Sequence, residues 1–188
     1  MNPLVAVKIS RWRVRAGYPV ALAVFYFARH STAPKFILAG GLIGFVGLLI
    51  RAYAAGYLHK QEVLTTTGPY AYTRNPLYLG SFFIAVGLAV ASGSRVSGAL
   101  LLVYFSFFYF VVMRREESEL LAQHGAAFEE YARAVPLFLP RWSSGGTAHA
   151  EGASFSFAQY RKNHEYQAVF GLLAILGLLV FLWAFHLG

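Results

Sequence analysis

The chain has 188 residues and a formal net charge of +8, and 57% of it is hydrophobic while only 13% is charged. Soluble domains carry about 25% charged residues, so this composition, with a mean hydropathy of +0.52, excludes an ordinary soluble fold and points to an integral membrane protein. There is no cysteine, which excludes disulfides, thiolate metal sites and a cysteine nucleophile, and no aspartate, which leaves eight glutamates as the side-chain carboxylates.

A membrane-spanning helix needs about 20 apolar residues. The first apolar run, residues 16–28, is short and bracketed by Arg15 and Arg29, so it spans only if those arginines snorkel. No small-residue cleavage site follows it, and it reads as a retained helix rather than a signal peptide. Residues 36–58 are long enough, with Arg51 as the one interruption. Gly40, Gly41, Gly44 and Gly47 crowd this helix, a spacing that predicts close approach of a neighbouring backbone. Residues 67–80 are turn-rich and polar and lead straight into the next apolar run, with Arg74 at the membrane entry. Residues 77–113 are too long for one span and carry Gly93-Ser94-Arg95 near the middle, which predicts a tight hairpin of helices 77–92 and 96–113. Over 114–135, Leu120, Leu121, Phe128, Tyr131 and Val135 recur at helical spacing among charged residues. This predicts a helix continuing out of the membrane, broken at Gly125 and ended by Pro136 and Pro140. Residues 143–156, rich in Ser, Gly and Ala, read as a flexible linker, and the uncharged run 166–187 is the last span.

The expected fold is therefore all-α: a polytopic integral membrane protein of about five transmembrane helices with a cytoplasmic pocket. It forms one membrane domain over 1–188, comprising two helices in 16–58, a core in 59–141, a linker in 142–165 and a C-terminal helix in 166–187. With five spans, one side holds Lys8, Arg11, Arg13, Arg15, Lys60, Arg74, Arg114, Arg115, Arg133, Arg141, Arg161 and Lys162. The other side holds Arg29, Lys35 and Arg95. Twelve basic residues against three predict a cell (inner) membrane protein with a cytoplasmic N-terminus and an outside C-terminus. Topology thus accounts for the positive charge, and no nucleic-acid partner is expected.

The polar segments carry the chemistry. Asn75-Pro76 suits the N-cap and first position of a helix, and such an N-terminus also offers free N–H groups to an anionic ligand. Arg74 can anchor the interface or grip a ligand carboxylate with its guanidinium fork. Tyr70, Tyr72 and Tyr78 suit an interfacial belt, or stacking on a purine or a cation. Glu116 and Glu117 can pair with Arg114 and Arg115 in a solvated turn, accept hydrogen bonds from ribose hydroxyls or an ammonium, or supply a general base. His59, His124, His149 and His164 show no metal-ligand spacing, so no metal is expected, and His186 reads as a far-side anchor. The absence of a Gly-rich phosphate motif argues against a nucleoside triphosphate.

Two motifs resemble those of the isoprenylcysteine carboxyl methyltransferase family. The first is Gly68-Pro69-Tyr70, Arg74-Asn75-Pro76, Tyr78 and Gly80; the second is Glu116-Glu117, Leu120, Gly125, Phe128, Tyr131, Val135-Pro136, Phe138 and Pro140. Phospholipid N-methyltransferases share a looser form of both, and the resemblance covers about residues 36–141. It implies an S-adenosylmethionine-dependent methyltransferase acting on an amphipathic or lipid-like substrate taken from the bilayer. It further implies that Glu62, Leu64 and Thr65, then Tyr70, then Asn75, Pro76, Leu77 and Tyr78 line the cofactor, with Glu116 closing the site. The family often has His where this chain has Asn75, so a titrating imidazole is not required here. The eukaryotic prenylcysteine enzymes place a substrate-side Arg where this chain has Val112, and at helical spacing Arg115 alone lies near that face. Arg115 is thus the candidate to take over a substrate carboxylate, and Glu117 the candidate base if the acceptor is an amine. A nicotinamide-dependent membrane reductase of the sterol reductase type is the competing enzyme class. A non-catalytic membrane protein that retains the pocket is the other alternative.

Overall fold

The computed structural model describes residues 3–58, 63–143 and 154–185, with side chains from residue 15 onward. Glu62, His59, Lys60, His149 and His186 lie outside the described residues. The described residues form an all-helical fold: α1 (Pro3–Ala28), α2 (Pro34–Tyr57), α3 (Pro76–Ala91), α4 (Arg95–His124), α5 (Ala126–Ala134), α6 (Phe157–Lys162) and α7 (Tyr166–Phe185), with a 3-10 turn at Gly68–Ala71. Among the described residues, three helices, α2, α4 and α7, are long and apolar enough to cross a membrane. The expected five is not reached on that measure. α3 is apolar but has 16 residues, about 24 Å of helix against a hydrocarbon layer of about 30 Å. α1 has 26 residues, but its first half carries Lys8, Arg11 and Arg13.

The bundle is organised on α2. Its glycines let α3 come to backbone contact: a Cβ on Gly47 would lie 2.5 Å from the Gly80 carbonyl oxygen, and one on Gly87 would lie 2.5 Å from that of Gly40. Gly44 and Gly41 turn instead toward Leu172 and Leu176 of α7. The glycine cluster therefore serves two neighbours rather than one. The α3–α4 hairpin falls at Gly93, whose φ of +63° is accessible to glycine at little cost. Ser94 caps α4 by accepting from Ser97 N at 3.3 Å. Two hydroxyls join the outer helix to this hairpin: Ser97 Oγ donates to Val24 O at 2.9 Å and Thr32 Oγ1 to Ser92 O at 3.0 Å.

The other end of α2 would leave its last carbonyls without partners. The segment before α7 supplies them. Asn163 Nδ2 donates to Ala55 O at 2.9 Å and Leu58 O at 3.0 Å, Ser156 N donates to Gly56 O at 3.0 Å, and the Gln159 amide reaches Leu58 O. α4, with 30 residues, is about 45 Å long, so it runs past its apolar part and carries Arg114–His124 out as one continuous helix. Gly125 breaks it with φ +50° and starts α5.

Candidate functional site

At the polar end of the bundle, loop 63–75, the first turn of α3, the outer part of α4, and α5 surround a cavity of about 410 Å³. Leu64 and Thr65 come from the segment before the first motif, Tyr70, Arg74, Asn75, Pro76, Leu77 and Tyr78 from the stretch that motif spans, and Glu116, Glu117, Glu119, Leu120, Gln123, His124, Phe128 and Tyr131 from α4 and α5. Arg51 of α2, Leu58 just past its end, Val63 and, at the head of α7, Glu165 complete the lining.

The loop is held by bonds to α5 and to the chain that follows it. Tyr131 Oη donates to Tyr70 O at 2.8 Å, Arg74 N to Pro136 O at 2.9 Å, Thr73 Oγ1 to Phe138 O at 2.8 Å, and Arg141 N to Tyr72 O at 3.1 Å. Asn75 occupies the N-cap position of α3, with Pro76 at its first helical position as expected, but the Asn75 side chain makes no capping bond. Its Nδ2 donates to Leu137 O at 2.9 Å instead. The reason is the second motif: Pro136, Pro140 and the turn between them present carbonyls that lack a helical partner. The α3 N-terminus therefore stays open toward the cavity.

Charges inside are paired with one another. Arg74 forms an ion pair with Glu117, whose second oxygen accepts from Arg114 at 2.8 Å. Tyr78 Oη donates to Glu116. Arg51 and Glu165 form a two-pronged pair with contacts of 2.8 and 2.9 Å, and the Glu165 side chain is only 6% exposed. Two buried polar atoms of lining residues, Tyr70 Oη and Arg74 Nε, have no hydrogen-bond partner among the described residues. Burial pushes the Tyr70 phenol well above its ordinary pKa, and the nearby Tyr131, Glu116 and Glu165 push the same way against Arg51. Tyr70 thus stays a neutral donor at any physiological pH. Burial raises Tyr131 as well, opposed by Arg74 and Arg141.

Of the residues singled out in the sequence, Leu64, Thr65, Tyr70, Arg74, Asn75, Pro76, Leu77, Tyr78, Glu116 and Glu117 meet at this one cavity. Glu62 falls outside the described residues. Arg115 is not among the lining residues; it pairs at 2.6 Å with Glu119, which is. Sequence reasoning passed over Arg51 and Glu165. A charge inside an apolar span is the signal that exposes Arg51; nothing local marks Glu165 as its partner. Among the described residues, no group of three or more His, Cys, Asp or Glu is placed to hold a metal ion.

Residues 43–126 match the family model described as phospholipid methyltransferase. The cobalt-zinc-cadmium resistance protein CzcN of Cupriavidus metallidurans is 32% identical over 147 residues, covering 76% of this chain and 68% of that protein. The chain belongs to the phospholipid methyltransferase family. The protein-S-isoprenylcysteine O-methyltransferase of Schizosaccharomyces pombe is 29% identical over 129 residues, 65% of this chain and 55% of that enzyme, which agrees with the resemblance carried by the two motifs. The nickel-cobalt-cadmium resistance protein NccN of Alcaligenes xylosoxydans xylosoxydans is 36% identical over 110 residues, 57% of this chain. The chain spans about half of that relative's length, 51%. No solved structure matches the chain. The family match ends at residue 126, so the loop after α5, Glu165 and α7 lie beyond it.

Proposed function

We propose that the chain is an S-adenosylmethionine-dependent membrane methyltransferase whose acceptor is a membrane-soluble amphipath. One observation carries the reading: two motifs separated by a helical hairpin close on a single cavity whose lining residues include buried donors without partners among the described residues. The cofactor fits what is there. The volume of about 410 Å³ lies in the range of small-molecule sites. Tyr70 Oη and Arg74 Nε need an acceptor, which a ligand carboxylate or hydroxyl supplies, and Glu116 can accept from ribose hydroxyls or an ammonium.

When bound, the sulfonium supplies an electrophilic methyl group. In-line displacement at such a group needs alignment and exclusion of water rather than a metal or a covalent nucleophile. Tyr70 and Arg74 bind the ligand, and the first turn of α3 presents its N–H groups. Glu117 accepts from two arginines, one on each oxygen, so its role is to hold Arg74 rather than to remove a proton. The Arg74, Arg114, Arg115, Arg133 and Arg141 side of the bundle is assigned to the cytoplasm, with Arg29, Lys35 and Arg95 at the opposite end, in accord with the positive-inside rule. On this reading the protein lies in the cell membrane, and the water-soluble cofactor enters from the cytoplasm.

Calorimetric titration of the purified protein with adenosylhomocysteine tests the reading. Wild type should bind. Tyr70→Phe should weaken binding about three- to tenfold and Arg74→Ala about ten- to hundredfold, the worth of one neutral and one charge-assisted hydrogen bond. A wild-type protein that ignores adenosylhomocysteine overturns the proposal. With Val112 in place of the substrate-side arginine and Arg115 engaged elsewhere, farnesylcysteine analogues should be turned over slowly with labelled cofactor. Rapid turnover that collapses in Arg115→Ala would show the acceptor assignment to be wrong.

A further inference from the structure

The buried pair Arg51–Glu165 joins parts of the chain 114 residues apart. The Arg51 side chain is 20% exposed, against 6% for Glu165. Its Nε and Nη2 both go to Glu165, while Nη1 donates to Ser81 Oγ and to Leu77 O at 3.3 Å. Ser81 Oγ in turn donates to Leu77 O at 3.0 Å. One guanidinium therefore links the head of α7 to the first turn of α3, the turn that opens on the cavity. α3 has little freedom to yield here, because a Cβ on Gly80 would lie 2.6 Å from Arg51 Cγ. Glu165 is itself set in place two residues upstream, where Asn163 caps the end of α2.

We propose that Glu165 is a positioning residue of the binding site: it orients Arg51, and Arg51 fixes the Leu77–Ser81 turn whose N–H groups and side chains receive the ligand. The segment beyond the family-matched region thereby completes the site in this chain. Removing Glu165 alone leaves a buried guanidinium unpaired and tests mainly folding. Replacing both partners with apolar side chains of similar length removes that penalty and often preserves stability. The double variant Arg51→Met/Glu165→Met thus separates fold from position. Arg51→Lys is a second, milder probe: it keeps the charge, but an ammonium cannot bridge Glu165 and the Leu77–Ser81 turn as a planar fork does.

The measurement is hydrogen–deuterium exchange of the peptide covering residues 76–83, alongside thermal unfolding and adenosylhomocysteine affinity. The expected result is wild-type-like melting of Arg51→Lys, with faster exchange over 76–83 in both variants. Affinity should fall by about tenfold in both, as for one lost hydrogen bond to a ligand. Wild-type exchange over 76–83 in Arg51→Lys, or in a double variant that melts like wild type, overturns the proposal. The affinity arm rests on the proposed function, whereas the exchange arm does not. A wild-type protein that fails to bind adenosylhomocysteine therefore sinks the methyltransferase reading and leaves the exchange comparison to decide the role of Glu165.

Discussion

The α2–α3 seam and the cavity end of the same two helices are built by opposite means. In the seam, side chains are absent where the helices meet: Gly40, Gly47, Gly80 and Gly87 bring the two backbones together. Lipid offers no hydrophobic drive between helices, so this close packing supplies the association. At the cavity, two separate backbone bonds, Arg74 N to Pro136 O and Arg141 N to Tyr72 O, are joined by side chains of Tyr131, Asn75, Thr73 and Arg141 that hold carbonyls of distant segments. The seam specifies distance, and the cavity end specifies orientation. A seam tolerates no added atom, while a mesh of separate bonds loses one strand at a time.

Three substitutions probe that contrast, in decreasing order of effect. Gly40→Ala places a Cβ 2.5 Å from Ala91 N and 2.7 Å from Ala91 Cβ, both on a rigid helix. The helices must part, at a cost of about 1–3 kcal/mol or more. Thermal unfolding in detergent should show this as a large drop, and a wild-type melting point would contradict the seam as described. Tyr131→Phe removes one buried strand of the mesh, the bond to Tyr70 O. It should cost about 1–1.5 kcal/mol and weaken ligand binding through the Tyr70 loop; loss of stability with unchanged ligand affinity would show that the loop is held without it. Arg115→Ala opens a half-exposed pair with Glu119 outside the mesh. Its effect should stay within about 0–1 kcal/mol, and ligand affinity should not change. A tenfold loss of affinity there would return Arg115 to the binding site.

The elements legible in the sequence were those set by local rules. The break at Gly125 and the hairpin at Gly93 follow from glycine's backbone freedom and the start of α3 at Pro76 from proline's fixed φ, and each falls where the pattern placed it. The meeting of the first motif with Glu116 and Glu117 was legible too, since a helical hairpin returns the chain to its starting end. Three things were not. The Asn75 side chain was expected to cap α3, but a carbonyl 62 positions away competes for the amide. Arg115 was placed by helical angle alone, which does not show its pairing with the cavity-lining Glu119 one turn on. The pairing of Arg51 with Glu165 is a tertiary event between segments with no shared periodicity, so no window of sequence contains it.

The distance along the chain between Arg51 and Glu165 also sets an order of events during synthesis. α2, α3 and α4 can enter the membrane and close their glycine seam while residues 154–165 are still unmade. Until those residues emerge, Arg51 lacks its carboxylate and the carbonyls of Ala55 and Leu58 lack the Asn163 amide. The cavity-lining turn of α3 therefore gains its last contacts with the arrival of α7, even though its own residues were made nearly ninety positions earlier. A ribosome-bound intermediate ending before Asn163 would carry every residue of both motifs and still hold that turn unlatched.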